Sequence, residues 1–177
     1  MKPYNHIILA VLLISSRFAF AGQVGIDVTL SPAGSFKAET DKVQGFAYKT
    51  PNGFAAENVT IDMQTLKTGV SLRDKHTKEH LKAGQFPQAK LVKAIGKDGK
   101  GEAIIELMGK QQRVKGTYKV EGNKLVAQFP IHLPDVNITG VRYMGIGVKE
   151  DVMVNIQLPI QAAAPPARAA ASVPKKK

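Results

Sequence analysis

The sequence predicts an all-β domain of about eight to nine short antiparallel strands, arranged as a barrel or a sandwich. Apolar and polar residues alternate with a period of two through most of the chain, which is typical of strands with one buried face. Gly, Pro and Asn separate these segments at short intervals, as expected for turns between sequential strands. Closure of the sheet on itself would remove its exposed edges. Between the two terminal segments, residues 72–83 break the pattern and favour a helix.

The first half of the chain contains four alternating segments. They run through residues 24–30, 36–40, 43–49 and 58–64. In the fourth segment Val59, Ile61 and Met63 share the apolar face, so we expect them to point inward. The sequence Pro51-Asn52-Gly53 predicts a turn immediately before this strand.

The second half contains five more segments. They run through residues 91–95, 102–108, 113–120, 125–133 and 152–160. The last two have the clearest alternation, which places Phe129, Ile131, Val154 and Ile156 on inward faces. Pro130 has no backbone N–H to donate to a ladder, and therefore predicts a sheet edge or a bulge. The strand at 152–160 is expected to close the sheet.

The facing of the strand that starts at Leu91 is ambiguous, because Val92 and Ala94 compete with Leu91 and Ile95 for the inward face.

Other features of the sequence exclude several functions. The glycine-rich loop Gly96–Gly101 joins two strands, so it predicts a hairpin rather than a phosphate site. Apart from a histidine pattern in the predicted helix, considered below, no G-x-S-x-G or other catalytic pattern is present, so we expect no catalysis. Aromatic residues make up only 6% of the chain, which argues against a nucleic-acid partner.

The N-terminal residues 1–21 are typical of a secretory signal peptide. Lys2 precedes the apolar run Ile7–Ile14, and Ala19-Phe20-Ala21 provides a small-residue cleavage site, so we place cleavage after Ala21. The run is shorter than the about 20 residues needed to span a bilayer. The mature protein is therefore expected to be periplasmic or secreted, and it retains 23 basic and 14 acidic residues, a net charge of +9.

The C-terminal residues 162–177 combine Ala, Pro and basic residues without any periodic apolar pattern. We predict a disordered tail there and a single domain over residues 22–161. The final Lys175, Lys176 and Lys177 either form a contact for anionic envelope surfaces or are simply solvated.

The predicted helix at 72–83 follows from good helix formers between plausible capping residues. Asp74 or Ser71 is expected to cap its start, and Gly84 is expected to end it as the first residue beyond the cap. Such a helix would lie across one end of the sheet.

Two histidines in this helix, His76 and His80, match the H-x-x-E-H pattern of a zinc hydrolase with Glu79 as the base. A catalytic zinc site needs a third ligand, and the sequence offers only His132, in a strand, and scattered carboxylates. We therefore expect two histidines on a solvated, lysine-rich helix and no metal site.

Several short motifs follow one another in a defined order. They are Val59-Thr-Ile-Asp-Met63, Leu66-Lys-Thr-Gly69, Leu72-Arg-Asp-Lys-His76, Leu81, Phe86-Pro-Gln-Ala89, Val126–Leu133 and Tyr143–Val148. This pattern, which covers the chain from about Val28 to Leu158, resembles the YceI-like, polyisoprenoid-binding proteins. One departure is Met108-Gly109, where many members carry His-Gly.

The resemblance implies an exported lipocalin-like antiparallel barrel without a cofactor, whose apolar lumen takes up an isoprenoid or similar lipid. Arg73 and His76 would lie near the entrance. The predicted ligand-binding residues are Ile61, Met63, Leu72, Arg73, His76, Phe86, Phe129, Ile131, Val154 and Ile156. The inward-facing residues among them would equally suit a filled core.

Two other functions remain open at this point. A filled barrel would act as an adaptor that binds anionic envelope components through its basic face and tail. A metal-dependent hydrolase would use His76 and His80. The sequence also allows a homodimer.

Overall fold

The computed structural model describes residues 21–143 and 145–162 of the chain. The predicted signal segment up to residue 20 and the predicted tail from residue 163 lie outside the described residues. The strands are β1 Ala21–Ser31, β2 Ser35–Gln44, β3 Ala47–Thr50, β4 Gly53–Asp62, β5 Gln88–Lys97, β6 Lys100–Leu107, β7 Lys110–Glu121, β8 Lys124–His132, β9 Arg142–Tyr143, β10 Ile146–Val148 and β11 Asp151–Gln161. One α-helix, α1 Ser71–His80, lies between β4 and β5, and short 3₁₀ turns occupy Met63–Thr65 and Leu133–Val136.

Eight strands form a closed ring in the order β1-β2-β4-β5-β6-β7-β8-β11, and β11 pairs back onto β1. All eight contacts within the ring are antiparallel, so successive strands run in opposite directions. The all-β, lipocalin-like fold class predicted from the sequence is confirmed, and β11 closes the ring as expected. We call the end of the ring that carries α1 the helix end, and the end that carries the β5–β6 and β7–β8 turns the hairpin end.

Three short strands lie outside the ring. β3 forms a hairpin with β4 through the predicted turn at residues 51–52 and also pairs with β11. The β3–β11 contact is the parallel one among the described strands. β9 and β10 form a small hairpin at the helix end that pairs with the end of β1.

The break between the second and third strands differs from the prediction. β2 continues without interruption from Ser35 to Gln44, and the chain turns only at Gly45. Gly45 has a φ of +130°, and a Cβ on it would lie 2.9 Å from a Val59 methyl carbon, so the turn needs a residue without a side chain.

Pro130 lies in a ring strand at a local edge, where β8 has a pairing partner on one side only, as the sequence predicted. It is paired with Met153 of β11 on one side, whereas the β7 register on the other side ends at the Thr117–Gln128 pair. The strand therefore accommodates proline because its β7 neighbour no longer pairs at that position.

The helix α1 ends at His80, three residues earlier than predicted. Lys82, not Gly84, adopts the left-handed conformation, with a φ of +47°. The Ala83 N–H donates to the Lys78 carbonyl and the Lys82 N–H donates to the Glu79 carbonyl, which is a Schellman motif. Burial of the Ala83 side chain, which is 2% exposed, anchors the chain just after this turn.

The start of α1 also differs from the prediction. Val70 occupies the N-cap position and makes no side-chain cap, so neither Ser71 nor Asp74 caps the helix. The Asp74 carboxylate instead reaches back to Thr68, two residues before the cap.

The core fills the ring with apolar side chains. The largest fully buried residues are Leu66, Leu158, Val59 and Val136. Leu66 follows the first 3₁₀ turn and Val136 belongs to the second, so two connections contribute buried side chains at the helix end. Within the described part of the chain, no helix has the length and apolar character needed to cross a membrane.

Candidate ligand-binding site

The interior of the ring brings six of the predicted residues together around one cavity of about 70 Å³. They are Ile61, Met63, Phe129, Ile131, Val154 and Ile156. Each of these side chains is at least nine-tenths buried, as the alternation in β4, β8 and β11 requires.

A second interior cavity, also of about 70 Å³, lies toward the hairpin end. Nine of its 21 lining residues are alanine or glycine, and the edge-to-face pair of Phe54 and Tyr118, whose ring centroids are 5.8 Å apart, also lines it. Leu91, Phe129 and Ile156 line both cavities. These three side chains therefore separate the two cavities.

The volume of the interior limits what it holds without rearrangement. An apolar cavity of about 150 Å³ accepts benzene, and ligand pockets usually measure about 300 Å³ or more. Each interior cavity is only about half the size of a benzene site. In this structure the interior is thus mostly filled by its own side chains, and a long lipid requires them to move.

A larger depression, of about 310 Å³, lies at the helix end between α1 and the β9–β10 hairpin. We call it the α1 cleft. Its apolar wall consists of Leu30, Phe36, Val70, Val141, Ile146 and Val148. Leu72, Arg73 and His76 of the predicted site line it together with His80 and Arg142.

Arg73 is held in the α1 cleft by fixed partners. Its Nη2 donates to the Thr68 carbonyl oxygen at 2.9 Å, and its guanidinium carbon lies 4.5 Å from the centre of the Phe36 ring, a cation–π contact. The Thr68 N–H and hydroxyl both donate to Asp74 Oδ1 at 2.6 Å. These two hydrogen bonds hold the pKa of the Asp74 carboxyl below its usual value.

Phe86 is separated from the rest of the predicted site. It lines neither interior cavity nor the α1 cleft. Its ring edge lies 3.4 Å from the position that a Cβ would take on Gly109, so it packs under the β6–β7 turn.

The two histidines of α1 both border the α1 cleft. His76 Nδ1 lies 3.3 Å from Glu79 Oε2, one turn further along the helix. Over residues 21–143 and 145–162, no three His, Asp or Glu side chains form a group suited to a metal ion.

Several residues of these sites were not among the predicted site residues, and three of them matter most. Thr68 positions both Asp74 and Arg73, Arg142 lines the α1 cleft, and Leu91 separates the interior cavities. Thr68 lies within the motif Leu66-Lys-Thr-Gly69, and this motif was the feature of the sequence that could have identified it as a site residue. No sequence motif identifies Arg142 as a site residue, because its place in the α1 cleft depends on where the β9–β10 hairpin packs.

Solved structures with the same fold share little sequence with the chain. BcnA from Burkholderia cenocepacia is similar with a TM-score of 0.61 and 15% identity, covering 77% of this chain and 94% of that one. A polyisoprenoid binding domain from Saccharophagus degradans, implicated in plant cell wall breakdown, has a TM-score of 0.51 and 14% identity, covering 80% and 94%. A mutant CJ YCEI protein with a monobromobimane guest has a TM-score of 0.53 and 15% identity, covering 68% and 81%.

No curated protein sequence matches the chain significantly. The sequence profile of the YceI-like domain matches residues 15–160, which is most of the chain and includes the whole ring. The chain therefore belongs to the YceI-like domain family.

Proposed function

We propose that the protein binds an isoprenoid-type or similar amphipathic lipid, with the apolar tail inside the ring, and that it carries or sequesters this lipid without catalysis. The observation that carries the proposal is the interior of the ring, where six inward-facing apolar residues surround one cavity that adjoins a second. Membership of the YceI-like family and the fold shared with a polyisoprenoid binding domain support it.

Binding of a long tail requires the interior to widen. Leu91, Phe129 and Ile156 would move from their shared position between the two cavities and join them into one channel. Each methylene that enters contributes about 0.8 kcal/mol, so a tail of many methylenes can offset the repacking of a few side chains. Met63 is suited to this, because its unbranched side chain adapts to irregular shapes.

The test is native mass spectrometry of the protein mixed with a prenyl phosphate in detergent. We expect the wild-type protein to bind the lipid in the ring interior, and Val154→Phe, which fills the cavity lined by Ile61 and Val154, to bind one equivalent fewer. Met153→Phe is the matched control, because Met153 immediately precedes Val154 in β11, points to the other face of the strand and is 37% exposed. If both variants are folded by circular dichroism and bind equally, the lipid does not occupy the interior.

We also propose that residues 1–21 are removed on export and that the mature protein is periplasmic or secreted. The charged start, the eight-residue apolar run and the Ala19-Phe20-Ala21 site support this. Fractionation of the producing cells and N-terminal sequencing would test it. A mature N-terminus at Gly22 is expected, whereas an intact Met1 in the cytoplasmic fraction would contradict the proposal.

A second candidate function is an adaptor for anionic envelope components. It is favoured by a broad depression at the hairpin end that is bordered by Lys97, Lys100 and Lys115. Glu102 also borders it, but its carboxylate lies 3.2 Å from the Lys115 amine. Binding to anionic vesicles that falls steeply with salt would support this function. Salt-insensitive binding would contradict it.

A further inference from the structure

We propose that the α1 cleft is a second binding site, separate from the ring interior, for the anionic head and the first part of the chain of a single-chain amphiphile. The cleft shares no lining residue with either interior cavity. Leu66 and Val136 are fully buried and come from the connections at the helix end of the ring. A ligand can therefore bind in the cleft without entering the ring interior.

The charge of the cleft wall selects an anion. Arg73 and Arg142 line it together with His76 and His80, and none of its lining residues is Asp or Glu. The nearest carboxylates on α1 have other partners. Asp74 accepts two hydrogen bonds from Thr68, and Glu79 lies 3.3 Å from His76 and 3.9 Å from Lys75.

Arg73 is prepared for such a ligand before it arrives. The Thr68 carbonyl and the Phe36 ring fix the guanidinium, so little side-chain entropy is lost when it binds an anion. Its Nε is buried and has no hydrogen-bond partner. The guanidinium therefore has donor capacity that its contacts with Thr68 and Phe36 leave unused.

Arg142 provides the second charge from the opposite wall. It pairs across the β9–β10 hairpin with Gly147, and its Cγ lies 3.8 Å from the position that a Cβ would take on that glycine. The Arg142 stem therefore lies across the hairpin beside Gly147.

The rest of the wall suits an alkyl or prenyl chain. Val70, Leu72 and Ile146 are 49%, 52% and 46% exposed, and all three border the cleft. A chain bound there would cover these side chains and remove apolar surface from water. A volume of about 310 Å³ corresponds to about ten water-sized groups, enough for a phosphate or carboxylate head and a short segment of chain.

Titration of ¹⁵N-labelled full-length protein with decyl phosphate tests the proposal. Saturable shifts are expected at the amides of Leu72, Arg73 and Arg142, with unchanged amides at Ile131 and Val154 in the interior. Decanol, which lacks the anion, and inorganic phosphate, which lacks the chain, should each bind at least about tenfold more weakly. Equal binding of phosphate alone would reduce the cleft to an anion site and overturn the proposal.

Arg142 rather than Arg73 is replaced, because Arg73 also supports the fold of its loop through its hydrogen bond to Thr68, whereas Arg142 is exposed. A loss of affinity in Arg142→Met therefore reports on binding and not on the fold. We expect affinity for decyl phosphate to fall about tenfold in Arg142→Met. Arg113→Met on β7, also exposed, is the matched control and should leave it unchanged. Unchanged affinity in Arg142→Met, shifts confined to the interior, or binding seen only with anionic vesicles would each overturn the proposal.

Discussion

At the scale of single residues, Thr68 links the Thr68-Gly69 motif to the Arg73-Asp74 pair that follows it. Its N–H and hydroxyl donate to Asp74, and its carbonyl accepts from Arg73, so three backbone and side-chain groups of one residue fix the approach to α1. Gly69, with a φ of +82°, makes the turn that lets the chain fold back on itself. The loop is thus held by polar contacts rather than by a helix cap.

Replacement of Asp74 tests this loop through its pH dependence. The folded-state pKa of Asp74 lies below its unfolded value of about 3.9, so its contribution is present above that pH and is lost as the pH falls through the folded pKa. Asp74→Asn should therefore lower the free energy of unfolding at pH 7 and have a smaller effect at about pH 2. Urea unfolding at both pH values measures this, with Thr68→Ser as a control that retains the hydroxyl.

His132 should show the opposite dependence. Its Nδ1 lies 2.9 Å from Asp151 Oδ1, and this hydrogen bond raises the pKa of the imidazole. The contribution is then fully present below the unfolded pKa of about 6.5 and is lost as the pH rises through the folded pKa. Asp151→Asn should destabilise the protein more at pH 5 than at pH 9. An equal loss in unfolding free energy at both pH values would argue against the ion pair.

At the scale of elements, the contact between β2 and β4 is the weakest part of the ring. Their register contains only Val43–Ile61 and Gln44–Thr60, whereas β4 and β5 share eight paired positions. Beyond this seam, Glu39 exchanges two backbone hydrogen bonds with Lys67, and the Thr40 and Thr65 hydroxyls lie 2.5 Å apart. The connection to α1 therefore completes the ring where the strands diverge.

Hydrogen exchange should detect this seam. The amides of Glu39 and Lys67 bond to each other's carbonyls across a single isolated bridge, so we expect them to exchange through local opening. The amides of Val154 and Ile156, which lie in β11 between two full ladders, should exchange only with global unfolding. Uniform protection across both sets would contradict a weak seam.

The close approach of β7 to β8 at Gly116 requires glycine. A Cβ on Gly116 would lie 2.2 Å from the Gln128 carbonyl oxygen and 2.8 Å from the Phe129 Cβ. Gly116→Ala should destabilise the protein by about 1–3 kcal/mol or more, because the backbone has to shift. Gly84→Ala is the control, since no atom lies within 4 Å of its Cβ position, and it should stay within about 0.5 kcal/mol. Thermal unfolding of both variants measures the difference.

At the scale of the whole molecule, the inward faces of the strands could be predicted from sequence because period-two alternation is local, whereas the choice of a closed ring over a sandwich came from the family resemblance. Val154 and Ile156 were assigned correctly from this alternation, as was the closing role of β11. The ambiguous strand β5 has a physical explanation in the structure. Its register with β6 shifts between Leu91 and Lys93, so Val92 is an extra residue that moves the inward face from Leu91 to Ala94.

What could not be predicted depends on tertiary contacts. The end of α1 is set by the burial of Ala83 rather than by the nearest glycine, Gly84. The α1 cleft requires the β9–β10 hairpin to dock beside the helix, which no local pattern encodes. The volume of the interior likewise depends on how side chains from all eight strands meet, and alternation specifies only which of them point inward.

Removal of Phe129 should connect the two interior cavities. Phe129→Ala deletes a buried ring that lines both of them, and should destabilise the protein by about 3–5 kcal/mol. If the interior holds the lipid, the same change should increase the affinity for a prenyl phosphate, because less side-chain movement is needed. Denaturant unfolding with and without the lipid measures both effects. A variant that is destabilised but gains no affinity would indicate that Phe129 only fills the core.

The most direct test of lipid binding in the ring interior is labelling with a prenyl phosphate that carries a photoreactive group at the end of its chain, followed by peptide mapping. Crosslinks are expected on the inward-facing residues of β4, β8 and β11, such as Ile61, Ile131 and Val154, and unlabelled lipid should suppress them. Crosslinks confined to the outer surface of the ring, or an absence of competable labelling in folded protein, would contradict the proposed lipid site in the interior.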